Sequence, residues 1–103
     1  MVKHIILWTL NPELTEEEKN SVKAGIKSGL EGLVGKVPGL IDVKVHIEGR
    51  LDSSNADVML DSTLVSAEAL KGYAKHPEHV AVANTKVRPY TVGRSCLDFE
   101  IED

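Results

Sequence analysis

The segment Val2 to Thr9 constrains the fold most, because its β-forming residues place apolar side chains on both alternating faces. These side chains are Val2, Ile6 and Trp8 on one face and Ile5 and Leu7 on the other. Successive side chains of a strand point to opposite sides of the sheet, so this strand must be covered on both sides. A single layer of helices can cover only one of them.

Turn and cap signals divide the next forty residues into a helix and a second strand. Asn11-Pro12 ends the first strand, and Thr15 with Glu18 forms a capping box that begins a helix. An apolar stripe at helical spacing predicts that the helix continues to Pro38-Gly39. The stripe contains Val22, Ile26, Leu30, Leu33, Val34 and Val37, while Lys19, Lys23 and Lys27 lie on the solvent side. A half-buried strand then alternates Ile41, Val43, Val45 and Ile47 with polar residues, including a solvent-facing His46.

The second half of the chain has the order strand, helix, strand. Asp57 to Thr63 forms a third strand after a polar loop, and Ser66 caps a short helix. The chain bends at His76-Pro77, because proline suits the first turn of a new helical segment. That segment ends at Arg88-Pro89, and the last strand covers Val92 to Ile101.

The resulting order, β-α-β-β-α-β, predicts an α+β, ferredoxin-like split βαβ fold with a four-stranded antiparallel sheet. Both helices then cover one face of the sheet. The other face carries five apolar side chains, Ile5, Leu7, Met59, Leu97 and Phe99. This exceeds the apolar scatter of a monomer surface, so we expect a homodimer that packs through these faces.

Length and charge exclude several classes of function. The 103 residues fit one domain, residues 1–103, and 42% apolar with 27% charged residues indicates a folded globular protein. A net charge of -4 without a basic patch argues against a nucleic-acid partner. The longest apolar run, Ile5 to Trp8, cannot span a membrane or act as a signal peptide. We therefore expect a cytoplasmic protein whose single cysteine, Cys96, is a small core residue.

The histidines are the candidates for chemistry. His4 shares a strand face with Ile6 and Trp8, which predicts that it points towards the helices and needs a buried partner. Asp98 lies on the Cys96 face of the last strand and can approach a histidine of the helix layer.

A metal site is the competing interpretation of two of these histidines. His76 and His79 have a spacing at which two imidazoles can share a helical face. Pro77 bends the backbone between them, and no cysteine or acidic cluster nearby completes a ligand set. We therefore predict no metal and no other cofactor.

Several motifs together resemble a known family. They are the opening Val-Lys-His-Ile-Ile-Leu, the turn Val37-Pro38-Gly39-Leu40, the Asp57 strand, the segment Tyr73-Ala-Lys-His76-Pro77-Glu-His79 and Val87-Arg88-Pro89. With them the chain resembles the stress-responsive A/B barrel, or Dabb, family over nearly its whole length. The resemblance implies a dimeric α+β barrel. The family combines stress-induced proteins of no known chemistry with a few enzymes, among them a cofactor-free polyketide cyclase.

The resemblance to that cyclase implies roles for individual residues. Tyr73, His79 and Asp98 match its catalytic tyrosine, its general-base histidine and the carboxylate that orients this histidine, and His4 matches a pocket histidine. Val58 and Ile26 stand where the cyclase has a pocket histidine and a pocket tyrosine, so the likeness does not extend to its substrate. The predicted ligand-contacting residues are His4, Ile6, Trp8, Val22, Ile26 and Leu60.

Two functions remain open at this point. One is a cofactor-independent, lyase-like or cyclase-like enzyme for a small organic molecule, in which Asp98 orients His79 through a hydrogen bond. The alternative is a non-catalytic stress-response dimer that is closed or binds a small apolar or aromatic ligand, with His79 and Asp98 as a structural pair. A cavity of a few hundred Å³ that reaches His79 favours the enzyme.

Overall fold

Four antiparallel strands lie in the order β2-β3-β1-β4. In the computed structural model, which describes residues 1–102, they are β1 Val2–Leu10, β2 Leu40–His46, β3 Val58–Leu64 and β4 Thr91–Glu100. The helices are α1 Glu16–Glu31, α2 Ala67–Lys75 and α3 Pro77–Val82, and α3 continues through a π-helical turn, Ala83–Val87, and a 3-10 turn, Arg88–Tyr90. The predicted ferredoxin-like fold is confirmed.

The core lies between the helices and one face of the sheet. Strand β1 is central, and its side chains Ile6, Trp8 and Leu10 point into this core. Helix α1 contributes Ile26 and Leu30, which are fully buried. The capping box at its start is present, because Thr15 and Glu18 each bond the backbone N–H of the other. No helix in residues 1–102 is long and apolar enough to cross a bilayer.

Helix α1 ends at Glu31, seven residues before the predicted end at Pro38-Gly39. Gly32 caps it, and Gly35 has a φ of 89°, a left-handed conformation that an L side chain disfavours. The apolar stripe misleads here because Leu33 and Val37 are buried from turns rather than from a helix. Val34, predicted on the same stripe, is exposed.

Strand β2 departs from the predicted strict alternation at its first residues. The register with β3 shifts between Leu40 and Asp42, which is a β-bulge. Leu40 is therefore buried and Ile41 is exposed, whereas Val43 and Val45 point inward as predicted. His46 is exposed, also as predicted.

Gly39 joins α1 to β2 at a point of close packing. Its φ is 81°, and a Cβ atom added there would lie 2.6 Å from the Cβ of Ala69 in α2. The position therefore requires glycine for both its conformation and its space. The turn holds α2 against the end of β2.

Two side chains of α1 reach the outer edge of the sheet at Val45. The Val45 N–H donates to Glu31 Oε2 at 3.0 Å, and Lys27 Nζ donates to the Val45 carbonyl at 2.9 Å. Lys27 also donates to Glu31 at 2.8 Å. The hydrogen bond from Lys27 is the main cause that holds the pKa of Glu31 below its usual range, and the bond from the Val45 N–H is the next. Lys27 therefore does more than line the solvent side of α1.

The sheet face away from the helices carries the predicted apolar patch. Leu7, Leu97 and Phe99 are 40%, 63% and 43% exposed, and Ile5 and Met59 are half-buried. One ion pair crosses the same face, with Lys3 Nζ 2.9 Å from Asp61 Oδ1.

Candidate functional site

A cavity of about 140 Å³ lies between the sheet and the second half of the helical layer. Six of the predicted site residues line it, namely His4, Ile6, Trp8, Leu60, Tyr73 and His79. Arg88 and Arg94 also line it and were missed by the sequence analysis. The cavity thus combines apolar walls with a small group of polar side chains, as ligand sites do.

Two predicted ligand-contacting residues of α1 lie elsewhere. Ile26 is fully buried in the core, and Val22 packs against the core and lines a separate groove with Leu14 and Tyr90. Helix α1 reaches the cavity one turn later, through Leu30. Val22 and Ile26 therefore do not line this cavity, because helical spacing defines a face of α1 but not the turn that meets the cavity.

Asp98 contacts His4 and not His79, so the predicted His79–Asp98 hydrogen bond is wrong. The register of β1 and β4 places Asp98 directly opposite His4, and His4 Nδ1 lies 2.5 Å from Asp98 Oδ1. The His4 side chain is nearly buried, whereas the Asp98 side chain is 42% exposed. A carboxylate on Nδ1 fixes the imidazole orientation and leaves Nε2 as the free ring nitrogen.

His79 is held by the helix bend that precedes it. His76 caps α3 by accepting the Glu78 N–H at its Nδ1, and Pro77 occupies the first turn. His79 Nδ1 lies 3.3 Å from the carbonyl oxygen of Ala74, a contact in which Nδ1–H donates and Nε2 is an acceptor.

The surroundings of His79 favour its neutral form. Burial is the main cause that lowers its pKa, and the neighbouring His4 and the positive charges of Arg88 and Arg94 lower it further. The hydrogen bond to Ala74 acts in the opposite direction. His79 is therefore neutral, with a free ring nitrogen, at pH 7.

Tyr73 lies between the two histidines. Its ring centroid is 4.2 Å from that of His79 and 6.0 Å from that of His4. Tyr73 is 1% exposed, and its buried hydroxyl has no hydrogen-bond partner within residues 1–102. Burial raises the pKa of Tyr73 to about 12, so the hydroxyl remains a proton donor at any ordinary pH.

Cys96 joins His4 and Asp98 in a cluster that the sequence analysis missed. Its Sγ lies 3.5 Å from Asp98 Oδ1 and 3.9 Å from His4 Nδ1, and the three donor atoms lie within 4.8 Å of one another. Cys96 is exposed, contrary to the predicted core position, because β4 is an edge strand. Partial desolvation, and then Asp98, raise the pKa of its thiol.

This cluster has the residue types of a metal site but an unfavourable charge. Arg94 lies two residues before Cys96 on the same face of β4, and its charge opposes a cation. His76 and His79 direct their Nδ1 atoms at the backbone instead of a shared ligand position.

The absence of a bound metal stays a prediction. Elemental analysis of protein purified without added metal tests this prediction. One molar equivalent of metal that survives dialysis against a chelator would contradict it.

The comparison with known families agrees with the fold and the motifs. Residues 2–101 match the model of the stress-responsive A/B barrel domain, Dabb. The chain belongs to the Dabb family. No curated protein matches the sequence of this Dabb domain.

Similar domains occur among solved structures. A dimeric ferredoxin-like protein of unknown function from Bacteroides fragilis is 30% identical, with a TM-score of 0.89 over 97% of this chain and 95% of that one. A dimeric ferredoxin-like protein from Thermobifida fusca is 22% identical, with a TM-score of 0.78 over 97% and 90%. A hydroxynitrile lyase from Passiflora edulis is 15% identical, with a TM-score of 0.73 over 99% and 94%. The last two likenesses establish the fold of this Dabb domain and nothing about its activity.

Proposed function

We propose that this Dabb domain is a homodimeric enzyme that performs lyase-type or cyclase-type acid–base chemistry on a small organic molecule without a cofactor. One observation carries the proposal: a neutral histidine and a tyrosine with an unpartnered hydroxyl line the same small cavity. A base and a hydrogen-bond donor near one substrate are what such proton transfers require.

The proposed roles follow from the protonation states. His79 removes a proton through Nε2, because its Nδ1–H is bound to Ala74. The Tyr73 hydroxyl donates to the substrate oxygen that gains charge. His4, oriented by Asp98, supplies a second polar contact. A positioned base contributes about 10²- to 10⁴-fold in rate, and one oxyanion donor about 10²- to 10³-fold.

The cavity volume limits the size of the substrate. Ligand pockets for larger molecules measure roughly 300–1,000 Å³, whereas an apolar cavity of about 150 Å³ holds one benzene molecule. The 140 Å³ found here therefore fits one small aromatic molecule or a short chain. The apolar walls of Ile6, Trp8 and Leu60 suit such a molecule.

The homodimer in this proposal is supported by the exposed apolar sheet face and by the Bacteroides fragilis and Thermobifida fusca structures, which are dimeric. Self-association through one patch gives a two-fold pair. A stress-response role and a cytoplasmic location belong to the same proposal.

A reaction that reports directly on proton abstraction tests the enzyme. A base that removes the C3 proton of 1,2-benzisoxazole breaks its N–O bond and releases 2-cyanophenolate, which is followed by absorbance. We expect saturable turnover, a loss of about 10²-fold or more in His79→Ala, and no change in His46→Ala, the exposed control. Equal rates in wild type and His79→Ala would exclude His79 as the base.

A non-catalytic ligand-binding dimer is the second candidate, and the small cavity volume favours it. Such a protein binds the same small molecules, but Asp98→Asn and His79→Ala alter only its stability or affinity. Turnover above that of free imidazole distinguishes the enzyme from it.

A further inference from the structure

Two arginines give the cavity a charge that its proposed acid–base chemistry does not explain. Arg88 follows the π-helical turn and donates to the side-chain oxygen of Asn84, and Arg94 stands on the helix-facing side of β4. Both line the cavity, and neither forms an ion pair with any residue of the described range 1–102. Asp98, on the same face of β4 as Arg94, is hydrogen-bonded to His4.

The positive charge is a local feature of this protein. The whole chain has 16 acidic residues against 12 lysines and arginines, so its net charge is -4. Arginine is always protonated. Arg88 and Arg94 are themselves exposed, but they border a cavity with apolar walls, which strengthen the field of a charge beside them. His79 feels both guanidinium groups, which contribute to its lowered pKa.

We infer that the ligand of this cavity is a small monoanion, a carboxylate attached to an apolar ring or short chain, that Arg88 and Arg94 bind by charge and hydrogen bonds. The inference rests on the proposed function and names its substrate class. A planar guanidinium matches the two oxygens of a carboxylate, which a lysine ammonium does not. The apolar body of the ligand lies against Ile6, Trp8 and Leu60. The carboxylate supplies the countercharge that the protein lacks at this point.

Benzoate and benzamide form a matched pair of probes for this inference, because they share size and shape but differ in charge. Isothermal titration at low salt and pH 7.5 gives both affinities. We expect benzoate to bind at least about tenfold more tightly than benzamide, since hydrogen bonds to ionised groups are roughly twice as strong as neutral ones. Added salt weakens the binding of benzoate and leaves that of benzamide unchanged.

Charge-removing variants then locate the effect. Arg94→Gln and Arg88→Gln should each weaken benzoate binding about tenfold and change benzamide binding less than about twofold. Lys71→Gln is the control. Lys71 is exposed on α2 and does not line the cavity, so its substitution removes one positive charge away from the site. If Arg94→Gln does not fold, Arg94→Lys retains the charge and should keep part of the preference for benzoate.

Each remaining outcome contradicts the inference in a distinct way. Equal affinities for the two probes, or benzoate binding that salt does not weaken, overturn the anionic class while the cavity remains a site for neutral substrates. An equal loss in Lys71→Gln overturns the specific role of the arginines. Binding of neither probe at millimolar concentration overturns both the inference and the proposed use of the cavity.

Discussion

Tyr73 is the unusual residue of the site, because its hydroxyl is buried and has no hydrogen-bond partner within residues 1–102. A buried hydroxyl without a partner costs roughly 1–3 kcal/mol, and most buried polar groups avoid this cost. Tyr73 and His79, which the sequence motif already pairs, line one cavity, and their catalytic roles stay a prediction. The partner of Asp98 could not be predicted, because strand alternation defines the face of a side chain but not its neighbour across the sheet. That neighbour depends on the register of β1 and β4, two strands at opposite ends of the sequence.

Tyr73→Phe should therefore stabilise the fold and impair the proposed reaction. Removing the unpartnered hydroxyl should raise the free energy of unfolding by about 1 kcal/mol in urea denaturation, because its desolvation cost disappears. The turnover of 1,2-benzisoxazole should fall by about 10²-fold. Tyr90→Phe, at a more exposed tyrosine, should change neither quantity. A destabilised Tyr73→Phe would mean that the hydroxyl has a partner after all.

The lowered pKa of His79 predicts a definite pH dependence. The base is active when neutral, so turnover should be constant above pH 7 and fall in acid with a midpoint below 6.5, the ordinary histidine value. Tyr73, His4, Arg88 and Arg94 surround it, and none of them is a carboxylate that would raise this midpoint. A midpoint above 6.5 would contradict the role.

The same shift links His79 to stability. His79 takes up its proton at a higher pH in the unfolded chain than in the folded one. The free energy of unfolding should therefore have its full value above pH 6.5 and decrease as the pH falls below it. His79→Gln should lessen this decline, whereas His46→Gln, at an exposed site, should not.

At the scale of elements, the capping signals were reliable and the apolar periodicity was less so. Thr15, Ser66 and Pro77 mark the starts of the three helices correctly, because each acts through its own backbone neighbourhood. The end of α1 was misjudged because the turns after it continue to bury apolar residues at similar intervals. The register shift in β2 was equally hard to predict, because Leu40 and Ile41 are both apolar and the sequence does not show which of them points inward.

Two glycine-to-alanine changes should have opposite effects on stability. Gly39→Ala should lower the free energy of unfolding by about 2–4 kcal/mol, because a positive φ disfavours alanine and the added methyl meets Ala69. Gly72→Ala adds a methyl on α2 with nothing within 4 Å and should raise it by about 0.5–1 kcal/mol. Chemical denaturation of both variants measures their free energies of unfolding. A Gly72→Ala variant less stable than the wild type would contradict the open space seen beside this position of α2.

At the scale of the whole molecule, the exposed sheet face was predictable from β1 alone, because a strand that is apolar on both sides cannot be buried by one layer of helices. The cavity was not predictable in size. Its volume depends on how α2, α3 and the π-helical turn close over β1 and β4, a matter of packing that no single element determines.

Leu7→Asp should separate the proposed dimer into monomers or unfold it, because an unpaired charge would be buried at the centre of the interface. Leu51→Asp is the matched control, since Leu51 is exposed in a loop outside the sheet. Sedimentation at micromolar concentration should give dimers for the wild type and for Leu51→Asp. A stable wild-type monomer would exclude the assembly.

The contacts of Lys27 and Glu31 with Val45 have a consequence for fibril growth. An exposed strand edge invites another chain to add its own strand, and a ribbon that grows without limit needs two receptive edges. Here the outward N–H and C=O of Val45 are already occupied by side chains of α1. A strand added at the β2 edge would have to displace Lys27 and Glu31 from this position. Helix α1 therefore hinders the addition of a further strand at Val45 of the β2 edge.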